Sequence, residues 1–129
     1  MLGKGKVCAV LAVKDLNKAK EFYEGKLGLS ASGGDDPGGI MYDCGEGTKV
    51  FVYESQFAGT NQATAATWAV DDVKAVVEDL KGKGIAFEQY DMPDIKREGD
   101  IHFYGDKLQS AWFKDPDGNV LSVSQHTNL

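Results

Sequence analysis

Few side chains in this 129-residue chain can do chemistry, and they are scattered. His102 and His126 are the only imidazoles, and Cys8 and Cys44 the only thiols. An imidazole can act as acid or base near neutral pH. His102, in the stretch Asp100 to Tyr104 between Gly99 and Gly105, is placed to line the mouth of a cleft, although spacing identifies no partner carboxylate. His126, close to the end of the sequence, reads as a solvated residue. Cys8 as a nucleophile would need an adjacent base or a lowered pKa, and a small buried hydrophobe is the simpler reading. Cys44, beside a glycine turn, has no assigned role. Arg97 can pair bidentately with a carboxylate or phosphate on a ligand. Tyr53, Phe57, Phe103, Tyr104 and Trp112 can stack on a flat ligand. Trp112 and Phe113 must point to opposite faces of one strand, and Trp112 is favoured for the cleft side.

The chemistry that is missing narrows the choice. There is no Gly-x-x-x-x-Gly-Lys phosphate loop, Gly-x-Gly-x-x-Gly dinucleotide turn, Gly-x-Ser-x-Gly elbow or Cys-x-x-Cys pair. Asp115-Pro116-Asp117-Gly118-Asn119 reads as a reverse turn, because a calcium loop would need a further oxygen ligand before the glycine and a bidentate Glu after it. Lys and Arg number 14 against 20 Asp and Glu, a net charge of −6, with no basic block; nucleic acid is excluded as the main partner. The longest apolar run, Val7 to Val13, is far short of the ~20 residues of a membrane span. Two cysteines make no disulfide framework, so reduced thiols and a cytoplasmic location are expected.

Positioning these residues falls to a repeated plan. Ala9, Leu11 and Val13 alternate as a strand and lead into Asp15, an N-cap. Leu16, Ala19, Phe22, Tyr23 and Leu27 then fall on one helical face that Gly28 closes. Short strands follow at Leu29 to Gly33, Ile40 to Cys44 and Thr48 to Glu54, the last two joined by Gly45-Glu46-Gly47. Asp72 stands where Asp15 stood, 57 residues on, and Ala9/Ala66, Ala12/Ala69, Val13/Val70, Glu21/Glu78, Gly25/Gly82 and Lys26/Lys83 are identical at that offset. The second helix is expected from Val73 to Lys81, with Trp68 in the core beneath it. Strands are expected at Ile85 to Tyr90, Gln109 to Lys114 and Asn119 to Gln125. Strand parity sends Leu11, Val13, Leu121 and Val123 to the core. It leaves Cys8, Val10, Ala12, Ala65, Thr67, Ala69, Val120, Ser122 and Ser124 facing a small, mostly uncharged cleft floor. The segment Tyr90 to Gly105 is either a lid or a solvated crossover with a short strand at Ile101 to Tyr104. Gly33 to Gly39 is a second flexible stretch that could close the opposite rim.

Two βαβββ modules, the first opening into VKDLNKAKEFYEGKLGL and the second closing on AWFKDPDGNVLSVSQ, resemble the vicinal oxygen chelate superfamily of glyoxalases, bleomycin-resistance proteins and extradiol dioxygenases. The resemblance covers nearly the whole chain. It implies one α+β domain over 1–129, with module one about 5–57 and module two about 63–126. The sheets would form a half-barrel with helices outside and a ligand cleft between the modules. It also implies a homodimer, since such proteins often complete their clefts across chains.

Metal-dependent members place His or Glu at four cleft positions. Here these fall on Cys8, one residue among Val52 to Glu54, Ala65 and Ser122, of which only Glu54 is a competent ligand; a divalent metal needs at least three converging donors. The expected protein is therefore a metal-free binder of a small organic molecule. The ligand would lie among Cys8, Tyr53, Glu54, Thr67, Arg97, His102, Tyr104, Trp112 and Ser122, with no residue assigned to catalysis. Two alternatives stay open: a lyase or dioxygenase holding a divalent metal through Glu54, His102 or atypical ligands, and a dimeric scaffold with a vestigial cleft.

Overall fold

The structure is a computed structural model that describes residues 1–33 and 38–126; the Gly33 to Gly39 rim lies in part outside the described residues. After a 3-10 turn at Leu2–Lys4, strand β1 (Ala9–Val13) leads into helix α1 (Leu16–Lys20). Asp15 caps α1 as its position requires, accepting the Asn17 N–H at 2.8 Å and the Lys18 N–H at 3.4 Å. The expected single helix then widens to π geometry over Glu21–Lys26, where the Leu27 N–H reaches back five residues to the Phe22 carbonyl at 2.9 Å. Apolar spacing does not separate the two forms, because the wider turn still leaves Phe22 and Tyr23 buried. Gly28, at φ 73°, ends the segment.

Three strands complete module one: β2 (Ser30–Ala31), β3 (Gly39–Asp43) and β4 (Lys49–Glu54). They form a four-stranded sheet in the order β1-β4-β3-β2, with β1 parallel to β4 and Leu11 opposite Val52. Module two repeats the plan with β5 (Thr64–Ala69) and helix α2 (Val73–Gly82), capped by Asp72 through the Ala75 N–H at 3.1 Å. Its strands β6 (Phe87–Glu88), β7 (Lys96–Glu98), β8 (Ile101–Tyr104), β9 (Leu108–Lys114) and β10 (Val120–His126) follow. The sheet order is β5-β10-β9-β8-β7, with β6 also paired to β9. β5 is parallel to β10, as β1 is to β4, with Trp68 opposite Val123. The matching pairs are 41 residues apart in module one and 55 in module two. The extra length sits after α2, in the segment from Tyr90 to Gly105. There β7 and β8 form an antiparallel hairpin on the sheet, the crossover-with-strand form extended by one more strand. The expected strand Ile85 to Tyr90 shortens to Phe87–Glu88, because only these two residues pair with β9.

Among the described residues the sheets stay separate and close no barrel. One hydrophobic core serves both modules: Leu11, Val13, Phe22, Tyr23 and Val52 join Val73, Leu80, Phe113, Leu121 and Val123 in one cluster. Phe22 of module one lies 6.3 Å from Phe113 of module two, ring centre to ring centre. Two polar seams reinforce the join. Tyr23 Oη donates to Asp115 Oδ2 at 2.7 Å, and Asn119 Nδ2 donates to that same oxygen at 2.8 Å and to the Ala12 carbonyl at 2.7 Å. Asp115 Oδ1 accepts the Asp117 and Asn119 N–H groups, so one oxygen of this carboxylate holds the turn while the other meets Tyr23 and Asn119. Gly59, at φ 73°, passes so close to the Asp117 carbonyl oxygen that a Cβ would overlap it.

Candidate functional site

Parity assigns each sheet a helix-packed face and a helix-free face, and the candidate residues divide accordingly. On module one Leu11, Val13, Val50 and Val52 are buried against the helices, while Val10 is 57% exposed on the other side. Phe51 and Tyr53 share that helix-free face, nearly parallel at 8° with centroids 6.1 Å apart. Gly39, opposite Tyr53 on β3, makes room for them: a Cβ there would lie 2.5 Å from the Phe51 ring and 2.6 Å from the Val52 carbonyl oxygen. Cys8 comes just before β1, with its Sγ 3.4 Å from the Lys49 carbonyl oxygen and 4.0 Å from Met41 Sδ. Glu54 departs from the group. It pairs with core-facing Val13 and its Oε2 accepts the Leu16 N–H at 3.2 Å, so its carboxylate serves the start of α1 on the helix side.

The helix-free face of module two gathers most of the others. Neighbouring strands align Ser122 with Thr67 and Trp112, and Ser110 with His102 and Ser124; His102 in turn aligns with Arg97. Thr67 Oγ1 lies 3.0 Å from Ser124 Oγ, which lies 3.1 Å from Ser110 Oγ, giving a chain of three hydroxyls across β5, β10 and β9. Ser122 is 3% exposed between them. Phe113 goes into the core and Trp112 to this face, half-buried. The indole N–H of Trp112 donates to Thr64 Oγ1 at 3.0 Å, which fixes the ring and leaves its π system for packing. His102 meets Trp112 edge to face at 4.8 Å, Tyr90 lies 5.6 Å from Trp112 and 5.8 Å from His102, and Tyr104 lies 6.3 Å from Trp112.

Arg97 lies beside this cluster, but its guanidinium is engaged: Nε and Nη2 donate to Asp91 Oδ1 at 3.2 and 3.1 Å, and Nη1 to the Gly99 carbonyl at 2.7 Å. It braces the hairpin. Asp100, in the same turn, accepts from Lys81 Nζ at 2.8 Å and from Gln89 Nε2 at 3.1 Å; the Lys81 hydrogen bond holds its carboxyl below the usual carboxylate range against the opposing effect of burial.

Sequence reasoning passed over two residues of this face. Tyr90 figured only as the end of an expected strand and the start of a connection, and its N–H donates to His102 Nε2 at 2.9 Å. Ser110 lies one residue inside the expected strand, and parity with Trp112 already placed it on the same face. A separate groove of about 890 Å³ opens where the first residues of β1 and β4 approach the last residues of β5 and β10. Of the nine candidates only Thr67 lines it, so the groove meets the chain of hydroxyls at that residue. Its polar rim of Glu46, Thr48, Lys49 and Asp71 is solvated, whereas the cluster has Trp112 and His102 held by hydrogen bonds and buried polar groups, the features that orient a ligand. Trp68 packs against the core as the repeat requires, and it also lines the groove.

Within the described residues of one chain the donor set does not fit a divalent metal. Ala65 offers no donor atom, Glu54 faces the helices, and no group of three His, Cys, Asp or Glu converges among the described residues.

The whole chain has many structural counterparts. A glyoxalase family protein from Enterococcus faecalis superimposes with a TM-score of 0.70 at 20% identity, over 96% of this chain and 99% of that one. TnmS3, an antibiotic-binding protein from Streptomyces sp. CB03234, gives 0.68 at 23% identity over 96% and 98%. Lactoylglutathione lyase from Agrobacterium tumefaciens gives 0.70 at 17% identity over 94% and 93%. At these identities the likeness is one of fold. Residues 7–123 match the family itself, so with its paired modules and parallel β1/β4 and β5/β10 ladders the chain belongs to the Glyoxalase/Bleomycin resistance protein/Dioxygenase superfamily.

Proposed function

We propose that this protein binds a small, flat organic molecule on the helix-free face of module two, without a resident metal, and that it works as a homodimer. The observation that carries the reading is the aromatic cluster of Trp112, His102, Tyr90 and Tyr104, with Trp112 and His102 held by hydrogen bonds, beside the Thr67–Ser124–Ser110 hydroxyls. Rings supply contact area and hydroxyls supply direction, the combination a ligand pocket needs. TnmS3 is described as antibiotic-binding, which supports a binding role for this fold. Module one contributes Phe51, Tyr53 and Cys8 on its own helix-free face.

The dimer is supported by exposure. β1 and β5 are the end strands of their sheets, and Val10 and Thr67 on them are exposed in the single chain, so a second copy could cover both. A cytoplasmic location agrees with two free cysteines.

Elemental mass analysis of untagged protein purified without chelator, followed by titration with nickel, zinc, iron(II) and manganese, tests the metal-free reading. Metal well below stoichiometry with no uptake is expected. Near-stoichiometric metal, lost on mutation of Glu54 or His102, would replace this reading with a metal-dependent enzyme.

A further inference from the structure

The aromatic cluster contains one buried polar atom with nothing to bond. His102 is wholly buried, its Nε2 accepts the Tyr90 N–H at 2.9 Å, and its Nδ1 has no hydrogen-bond partner among the described residues. A nitrogen that accepts carries no proton, so the ring is the neutral tautomer with hydrogen on Nδ1, and the partnerless atom is a donor. Buried donors are as a rule paired, because leaving one unmet forfeits its hydration without return. As they are arranged, the described side chains around it supply no acceptor. Arg97 and Trp112 are donors only, and no hydroxyl of Ser110, Tyr90 or Tyr104 comes within hydrogen-bond reach of Nδ1. The acceptor must come from outside.

We propose that His102 is a specificity-determining residue, whose Nδ1–H bonds to an oxygen acceptor on the edge of a planar aromatic ligand packed against Trp112. The proposal rests on the reading of this face as a ligand site. Tyr90 provides both the fixed and the movable part of the arrangement. Its backbone N–H holds the imidazole in the required tautomer, while its ring, 5.8 Å from the imidazole in a residue 37% exposed, is the neighbour that a ligand reaching Nδ1 would displace. The same latch sets the ring's orientation, so the donor is preorganised before the ligand arrives. A ligand of equal shape without the oxygen leaves Nδ1 unmet and binds less tightly.

9-Fluorenone and fluorene form a matched pair of probes, planar and of equal size, differing in a carbonyl against a methylene. Binding is read by quenching of Trp112 fluorescence in a Trp68→Phe background. Fluorenone should bind about tenfold tighter than fluorene, the size of one well-made hydrogen bond. In His102→Gln the amide oxygen takes over the Tyr90 N–H but no donor remains at the Nδ1 position, so the two affinities should become equal. In His102→Asn a donor remains while the latch is lost, so the preference should survive with weaker binding of both probes. A measurement that needs no variant is the nitrogen-15 NMR spectrum of the histidines in wild-type protein: a protonated Nδ1 and bare Nε2 for His102, with the Nδ1–H signal moving on addition of fluorenone and not of fluorene. Equal affinities in wild type, or a preference retained in His102→Gln, would overturn the role of His102 and leave the face as a binding site. Failure of both probes to bind, with the Nδ1–H signal unmoved, would overturn the proposal together with the reading beneath it.

Discussion

Tyr23 Oη donates to Asp115 Oδ2 across 2.7 Å, tying the π segment of module one to the turn between β9 and β10 of module two. The phenol is fully buried, and the oxygen it meets also holds Asn119. Module packing and cleft geometry depend on this junction, because β9 and β10 carry Trp112, Ser110 and Ser122.

Removing the phenol tests the junction. Tyr23→Phe should lower unfolding free energy by about 1–3 kcal/mol, the range for leaving a buried charged acceptor one donor short. Urea denaturation should show the loss with an unchanged m value; an unchanged midpoint would mean that the bond contributes nothing.

Alkali tests the same residue from another side. Burial, with the Asp115 charge next, pushes the Tyr23 phenol far above its ordinary range. A group whose folded pKa is raised gives stability that is fully present below its unfolded pKa, about 10, and falls as pH rises beyond it. Wild-type melting temperature should therefore drop between pH 9 and 11 more steeply than that of Tyr23→Phe, and parallel curves would contradict this.

Asp100 gives the opposite sign. Its lowered folded pKa gives stability that is present above the unfolded value, about 3.9, and lost as pH falls through the folded one. Asp100→Asn should flatten the acid limb of the stability curve below pH 5 and loosen the β7–β8 hairpin, seen as faster amide exchange at residues 96–104. Identical acid limbs would remove Asp100 from the account.

Gly59→Ala probes the connection between modules. The residue has φ 73° and abuts the Asp117 carbonyl, so an added methyl group must displace the turn. A loss on the order of 2 kcal/mol or more is expected from the left-handed conformation and the overlap together. A variant as stable as wild type would show that the turn yields freely.

Much of this architecture was legible because it rests on short-range rules. Asp15 and Asp72 are caps whose carboxylates find N–H groups two or three residues on, and alternation along β10 sends Leu121 and Val123 inward whatever the tertiary context. What escaped depends on contacts remote in sequence or carried by the backbone. The direction of Glu54 is set by the Leu16 N–H, 38 residues away. The environment of His102 is set by a backbone N–H of Tyr90, which no side-chain pattern records. The β7–β8 hairpin escaped in part because Lys96–Glu98 is entirely charged, with no apolar alternation to mark a strand.

Thermal unfolding in the presence of a chelator, with planar aromatic ligands added to wild type, Trp112→Ala and Thr67→Trp, tests the central claim most directly. Trp112 is half-buried and Thr67 exposed, so both variants should fold. A ligand that binds the folded state raises the melting temperature by mass action. The expected result is a concentration-dependent rise in wild type that both substitutions abolish; no rise with any ligand, or a rise that survives both substitutions, would contradict a metal-free ligand site on this face.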